Sequence, residues 1–144
     1  MKSRSQWIGA ALLVCVALAA YGLDRAGRAR QPRHYTVAFE SGSRLGAGTD
    51  AVIEQIAAAM AKNDSWEAVV VGHSGTRGDA EVNLELSRER AETVKTRLEA
   101  RGVSPSRIRT FGVGGRQPLE KRPEEGGRSY HQRLKRAEVT LKLP

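Results

Sequence analysis

"VVVGHSGTRGD", Val69 to Asp79, is the stretch on which the reading of this chain turns. Three β-branched residues run into Gly72-His73-Ser74-Gly75, close to the G-x-S-x-G elbow of a serine hydrolase. Such an elbow needs a sharp strand-to-helix turn, with a second glycine that lets the two backbones pass. Position 76 is Thr, and the next helical pattern begins only near Ala80, so the turn is not tight. His131 lies downstream as a candidate base, but hydrolases of this kind need a much larger sheet than 144 residues supply. An esterase built on Ser74 is therefore set aside. His73, at the end of a strand, reads as a structural hydrogen-bonding residue. One histidine without ligand partners nearby is no metal site. No catalytic residue, metal or cofactor is expected.

Outward from that loop, Val69-Val70-Val71 lacks polar alternation, which predicts a strand from Trp66 to Gly72 buried on both faces. Upstream, Tyr35 to Phe39 alternates and is β-rich, a first strand. Ser41 to Gly48 reads as a loop. Thr49 is placed to cap a helix that runs to about Lys62, with Val52, Ile53, Ile56 and Met60 at helical spacing. Downstream, Asp79 caps a long helix from Ala80 to Arg101, closed by Gly102. Ile108 to Val113 is a third strand. Gly114 to about Tyr130, with Pro118 and Pro123, reads as a long surface loop, and Ala137 to Leu143 as a fourth strand. The fold class is α/β (α+β): a two-layer sandwich with two main helices packed on one mixed four-stranded sheet.

The amino terminus sets the compartment. Lys2 and Arg4 precede Trp7 to Leu23, a run without charge. A signal peptide needs a basic start, ~7–15 apolar residues and a small-x-small exit, which Ile8 to Val16 and Ala17-Leu18-Ala19 supply. A membrane span needs ~17–25 apolar residues, and the run sits at that lower limit. Residues 1–23 are thus a signal peptide or an N-terminal membrane anchor, residues 24–33 a basic linker, and residues 34–144 the folded domain. Either reading exports the domain, placing it in the periplasm, with inner- or outer-membrane association open. Cys15 is the only cysteine, so no internal disulfide forms; Val14 before it makes a poor lipid-attachment site. No ionisable group interrupts Trp7 to Leu23, which disfavours a stator-like proton path.

Lys and Arg number 24 against 16 Asp and Glu, giving +8. That balance suits an anionic partner. Nucleic acid conflicts with export, and two Phe, two Trp and three Tyr give no stacking platform for bases. On the long helix, Leu86, Arg90 and Val94 share one face at i, i+4 and i+8. An uncompensated buried guanidinium is costly and calls for an anion. The alternatives are that Arg90 snorkels its head to water or pairs with a carboxylate of its own chain. Asn83 and Ser87 lie on the same side.

Gly72-His73, Gly78, Asn83, Leu86-Ser87, Arg90-Ala91, Gly102-Val103 and Gly112 to Pro118 stand in the order of a known pattern: G-H-T-D-x-x-G, N-x-x-L-S-x-x-R-A, G-V, then a glycine-rich strand with Q-P. Over Tyr35 to Leu143 the chain resembles the C-terminal domain of the OmpA-like family, which includes the peptidoglycan-associated lipoprotein and the stator protein MotB. The resemblance implies a βαβαβ-β domain that docks on peptidoglycan without catalysis. It also implies that Arg90 holds a carboxylate of a diaminopimelate-type stem peptide, with Asn83, Ser74 and Leu86 around it. The family's Asp, which receives the ligand's ammonium group, is Gly75 here. A charge-assisted hydrogen bond of ~1.5–3 kcal/mol is lost with it, a tenfold to hundredfold drop in affinity. Asp79 is the nearest replacement. The family's N-R-R-V appears as Leu134-Lys135-Arg136-Ala137, without the Asn. A second reading follows: a degenerate module kept as a structural or protein-interaction part of an envelope assembly.

Overall fold

A computed structural model describes residues 31–144. The expectations for the signal peptide or anchor, Cys15 and nearly all of the linker lie outside the described residues. In chain order the elements are β1 (Arg33–Ser41), β2 (Arg44–Leu45), α1 (Thr49–Ala61), β3 (Glu67–Gly72), α2 (Ala80–Glu99), a 3-10 turn (Pro105–Arg107), β4 (Ile108–Gly112), α3 (Gly127–Leu134) and β5 (Arg136–Lys142). The strands form one mixed sheet in the order β2-β1-β5-β3-β4. β5 sits at its centre, antiparallel to β1 through Val37↔Ala137 and to β3 through Val70↔Val139. β3 and β4 are parallel, Val70 opposite Thr110, as two strands joined by the helical crossover α2 must be.

One face of the sheet carries the core. Val37 and Phe39 alternate inward from β1, Val70 from β3, and Val139 and Leu141 from β5, all fully buried. α1 lays Ile53, Ile56 and Met60 on them, and α2 adds Val94 and Leu98. Each such side chain contributes about 1.5–3 kcal/mol by leaving water. Leu98→Ala would open a cavity costing about 2–5 kcal/mol. Gly72 sets how closely α2 lies: a Cβ there would run into the Ser87 carbonyl, so β3 ends in the one residue that lets the helix cross.

The two-layer architecture stands as expected, with corrections. The sheet has five strands, because the chain doubles back at Gly42 and adds the two-residue β2 after a break in register. Val69 and Val71 are only half-buried while Val70 is enclosed, so β3 is covered on one face and not on both. α1 begins at Gly48 in a left-handed conformation with no side-chain cap. Thr49 turns its hydroxyl back to the Gly46 carbonyl, at 2.7 Å. Asp79 does cap α2, accepting from the Glu81 and Val82 amides. The segment read as loop to Tyr130 contains α3. Its polar, glycine-led sequence hides it, and tertiary bonds hold it: Arg133 grips Glu125 at 2.7 Å, and the Tyr130 hydroxyl donates to the Leu119 carbonyl. Among the described residues no helix is long and apolar enough to cross a membrane.

Candidate functional site

The rim of the sheet where β1 and β3 end and β5 begins gathers the residues singled out above. Arg90 projects from the buried stripe of α2, between Ser87 and Val94, and is itself only 2% exposed. Its Nε donates to the Gly42 carbonyl at 2.8 Å and one terminal nitrogen, Nη1, to the His73 carbonyl at 2.7 Å. The guanidinium lies 5.3 Å from the Phe39 ring centroid. No carboxylate of the described residues pairs with it, and Nη2 makes no hydrogen bond among them. Burial pushes its pKa down to about 10, with the neighbouring Glu89 opposing. It stays charged at neutral pH, held by carbonyl dipoles instead of a counter-ion. The stripe differs from expectation in one member: Leu86 is half-buried, and Ser87 takes the enclosed position.

The neighbours divide. Ser74 is buried, its hydroxyl turned to the Gly75 carbonyl at 3.2 Å and its amide bonded to the Gly114 carbonyl. Gly75 has open space where a Cβ would stand. With Thr76, Asn83, Gly114 and Arg116 it lines a recess of about 170 Å³ beside the start of α2. Asn83 belongs to that recess, but its amide donates to the Arg77 carbonyl at 2.8 Å. Asp79 is committed through Oδ1 to capping α2. Arg90 does not border the recess, so the structure brings Gly75 and Asn83 together and sets Arg90 apart, behind the Gly42 turn and the His73 carbonyl. No carboxylate lines the recess.

His73 directly follows β3. Its ring is 1% exposed, and neither ring nitrogen makes a well-formed hydrogen bond among the described residues, though the Gln117 backbone favours its protonated form. Glu138 Oε2 stands 3.7 Å from Nε2. Arg136, also buried, donates through Nε to Glu138 Oε1 at 2.7 Å and through Nη2 to the Gln117 carbonyl at 3.3 Å, leaving Nη1 unpartnered. Burial, and then the Arg136 charge, lower the His73 pKa below 6.5, with Glu138 pulling the other way. Sequence reasoning missed Gly42, Phe39, Arg136 and Glu138 because their roles arise from contacts between elements far apart in the chain, Gly42 lying 48 residues from Arg90. The adjacency of His73 to Arg136 follows from the Gly72↔Ala137 register. Among the described residues no group of three or more His, Cys, Asp or Glu side chains could hold a metal ion.

A two-layer sandwich with a central last strand, a glycine loop after β3 and a buried arginine on the crossover helix defines a class. Residues 39–132, well over half of the chain, match the model of the OmpA family, and the chain belongs to that family. It is similar to the probable lipoprotein YiaD of Escherichia coli K12, 35% identical over 72 residues that make up 50% of this chain and 32% of the relative. It is also similar to the peptidoglycan-associated lipoprotein of Buchnera aphidicola, 28% identical over 81 residues, 56% of this chain and 47% of that protein. The chain thus spans about a third to a half of the length of these curated relatives. The crystal structure of the peptidoglycan-associated lipoprotein from Burkholderia pseudomallei superposes with a TM-score of 0.66 at 23% identity, covering 74% of this chain and 89% of that one. At that identity the likeness speaks to the fold alone.

Proposed function

We propose that this chain is a non-catalytic cell-envelope protein that holds peptidoglycan through the rim containing Arg90. The observation that carries the reading is a guanidinium kept in the core with no acidic partner among the described residues. Two carbonyls compensate it only in part, and the Gly42 carbonyl sits on an exposed turn that a ligand can displace. A stem-peptide carboxylate arriving there would replace a neutral acceptor with an ionic one, and a planar guanidinium grips a carboxylate through two parallel bonds. Leu86 supplies an apolar flank, and the Ser74 and Gly75 backbone a polar one. Asn83 lines the neighbouring recess, and Asp79 orders the loop by capping α2. The ligand's ammonium group finds no carboxylate at position 75, so binding is weak. The periplasm is the compartment this function requires.

Retention on purified peptidoglycan sacculi tests this. Wild type is expected to be retained weakly. Gly75→Asp, for which there is open space, should bind about tenfold to a hundredfold tighter, the worth of one charge-assisted hydrogen bond. Arg90→Lys, which keeps the charge but not the fork, should lose most binding. Circular dichroism of each variant separates loss of binding from loss of fold. No wild-type retention, with indifference to both changes, would favour the second reading: a structural or interaction part of an envelope assembly. The observation behind that alternative is the closure of Arg90 by its own backbone.

A further inference from the structure

The two edges of the sheet are built differently. On one side β2 is two residues long and meets β1 through a break in register, which leaves little for another strand to pair with. On the other side β4 presents five regular residues, Ile108–Gly112, with neither Pro nor Lys. Short strands, bulges, prolines and lysines are the devices that keep edges from pairing, and an edge without them is a template for another strand. The one charge on β4, Arg109, is drawn across the sheet to Glu67 at 3.0 Å and does not guard the edge. Phe111, one of the two large apolar side chains left exposed among the described residues, stands on this edge at 53% exposure. Between β4 and α2 runs an open groove of about 440 Å³, lined by Arg88, Ala91, Glu92, Thr110, Phe111 and Gly112.

We propose that this edge pairs with the same edge of a second copy of the chain, β4 against β4, antiparallel, about a twofold axis at Phe111. Two independent features choose that register. The first is the backbone. The Val113 amide donates inward to the Gly72 carbonyl. By the alternation of a strand, Phe111 also turns its amide and carbonyl inward, and Thr110 and Gly112 turn theirs outward. A twofold at Phe111 sets Thr110 of one copy opposite Gly112 of the other, an outward residue facing an outward residue, twice over. Phe111 then forms a non-hydrogen-bonded pair with itself. There the Cα atoms approach to about 4.5 Å and side chains come closest.

The second feature is the charge on α2. Gly112 lies against the Arg88 backbone, and Thr110 donates to Glu92. Two strand residues rise about as far as four helical ones, so Phe111 is level with residue 90. The twofold therefore sets Glu85 opposite Lys95 of the other copy, and Arg88 opposite Glu92. Among the described residues the ion pairs of all four stay within their own helix, Arg88 with Glu85 at 3.2 Å and Lys95 with Glu92 at 3.8 Å, Glu92 also accepting from Thr110. An axis moved by one residue to Thr110 would also satisfy the backbone. It would set Glu92 against Glu92 and Glu85 against Glu99, so charge excludes it. One strand pair with its flanking helices lies at the small end of specific interfaces, and the dimer is concentration-dependent.

Cysteine trapping in the full chain, carrying Cys15→Ser, tests the pairing. A non-hydrogen-bonded antiparallel pair has Cβ atoms close enough for a disulfide. Phe111→Cys is expected to form a covalent dimer under mild oxidation, while Val82→Cys, at the still more exposed position on α2, should not. Adding Glu92→Arg sets like charges opposite one another and should cut the Phe111→Cys cross-link at least several-fold. Adding Arg88→Glu together with Glu92→Arg should restore it. Circular dichroism confirms that each variant is folded. Equal cross-linking at positions 82 and 111, no cross-link at 111, or a cross-link at 111 indifferent to the charge reversal would each overturn the proposal.

Discussion

His73 shows what a single residue costs when its partners are charged and its surroundings dry. Its ring is enclosed beside Arg136 and Glu138, with no hydrogen bond to either ring nitrogen among the described residues. Burial first, and the Arg136 charge second, hold it neutral to lower pH than the ordinary value of 6.5. Unfolding releases it to take up a proton. Between 6.5 and the lower folded value the unfolded chain binds more protons, so this contribution to stability is complete above that window and is lost as pH falls through it. The melting temperature of wild type should therefore drop more between pH 7.5 and pH 5 than that of His73→Gln. Equal drops would show that the ring does not carry the dependence. Of this neighbourhood the sequence discloses the glycine loop and Arg90, which stand in one local pattern. It does not disclose Arg136 and Glu138 as partners of His73, because a register, not a motif, brings them together. Gly75 was legible in a different way: an absent acid shows in the letters, but the open space beside it shows only in the fold.

Elements were legible in proportion to their local self-sufficiency. α2 has an acidic cap, helical spacing and a glycine stop, and it was read with its start correct and its end within two residues. Asp79 accepts two amides there, at 2.9 and 3.0 Å. Asp79→Ala should cost about 0.5–2 kcal/mol in chemical denaturation. The effect should be larger than that of Thr49→Ser, since the Thr49 hydroxyl bonds backward to Gly46 and a serine keeps that bond. α3 has the opposite character. Its eight residues open on two adjacent glycines and bury only Leu134. What fixes it is the Arg133 clasp on Glu125, whose carboxyl is held down at about 2 chiefly by that arginine. A helix that buries a single apolar residue leaves no apolar stripe in the sequence, which is why the polar run reads as loop. β2 was invisible for a related reason: two residues have no period.

At the scale of the molecule, the order of strands in space departs most from their order in sequence. β5, the last strand, lies between β1 and β3 and bonds to both. The pairing of β1 with β5 spans about a hundred residues, so little of the sheet can close until that strand is present. Long-range pairing of this kind slows folding. A chain ending at Lys135 loses the centre of the sheet and not an edge. It should show no cooperative melt by circular dichroism, whereas loss of Leu143 and Pro144, beyond the last strand, should leave the transition intact. The two-layer class was readable from the alternation of strands and helices, but the central position of β5 was not, because no local pattern records which strands pair.

The register also fixes a direction. Arg33 pairs with Leu141 at one end of the sheet, while Ser41, Gly72 and Arg136 mark the other. Nine residues of β1 separate them, about 25 Å of extended chain. Whatever leads into Arg33 therefore attaches at the far pole from the Arg90 rim.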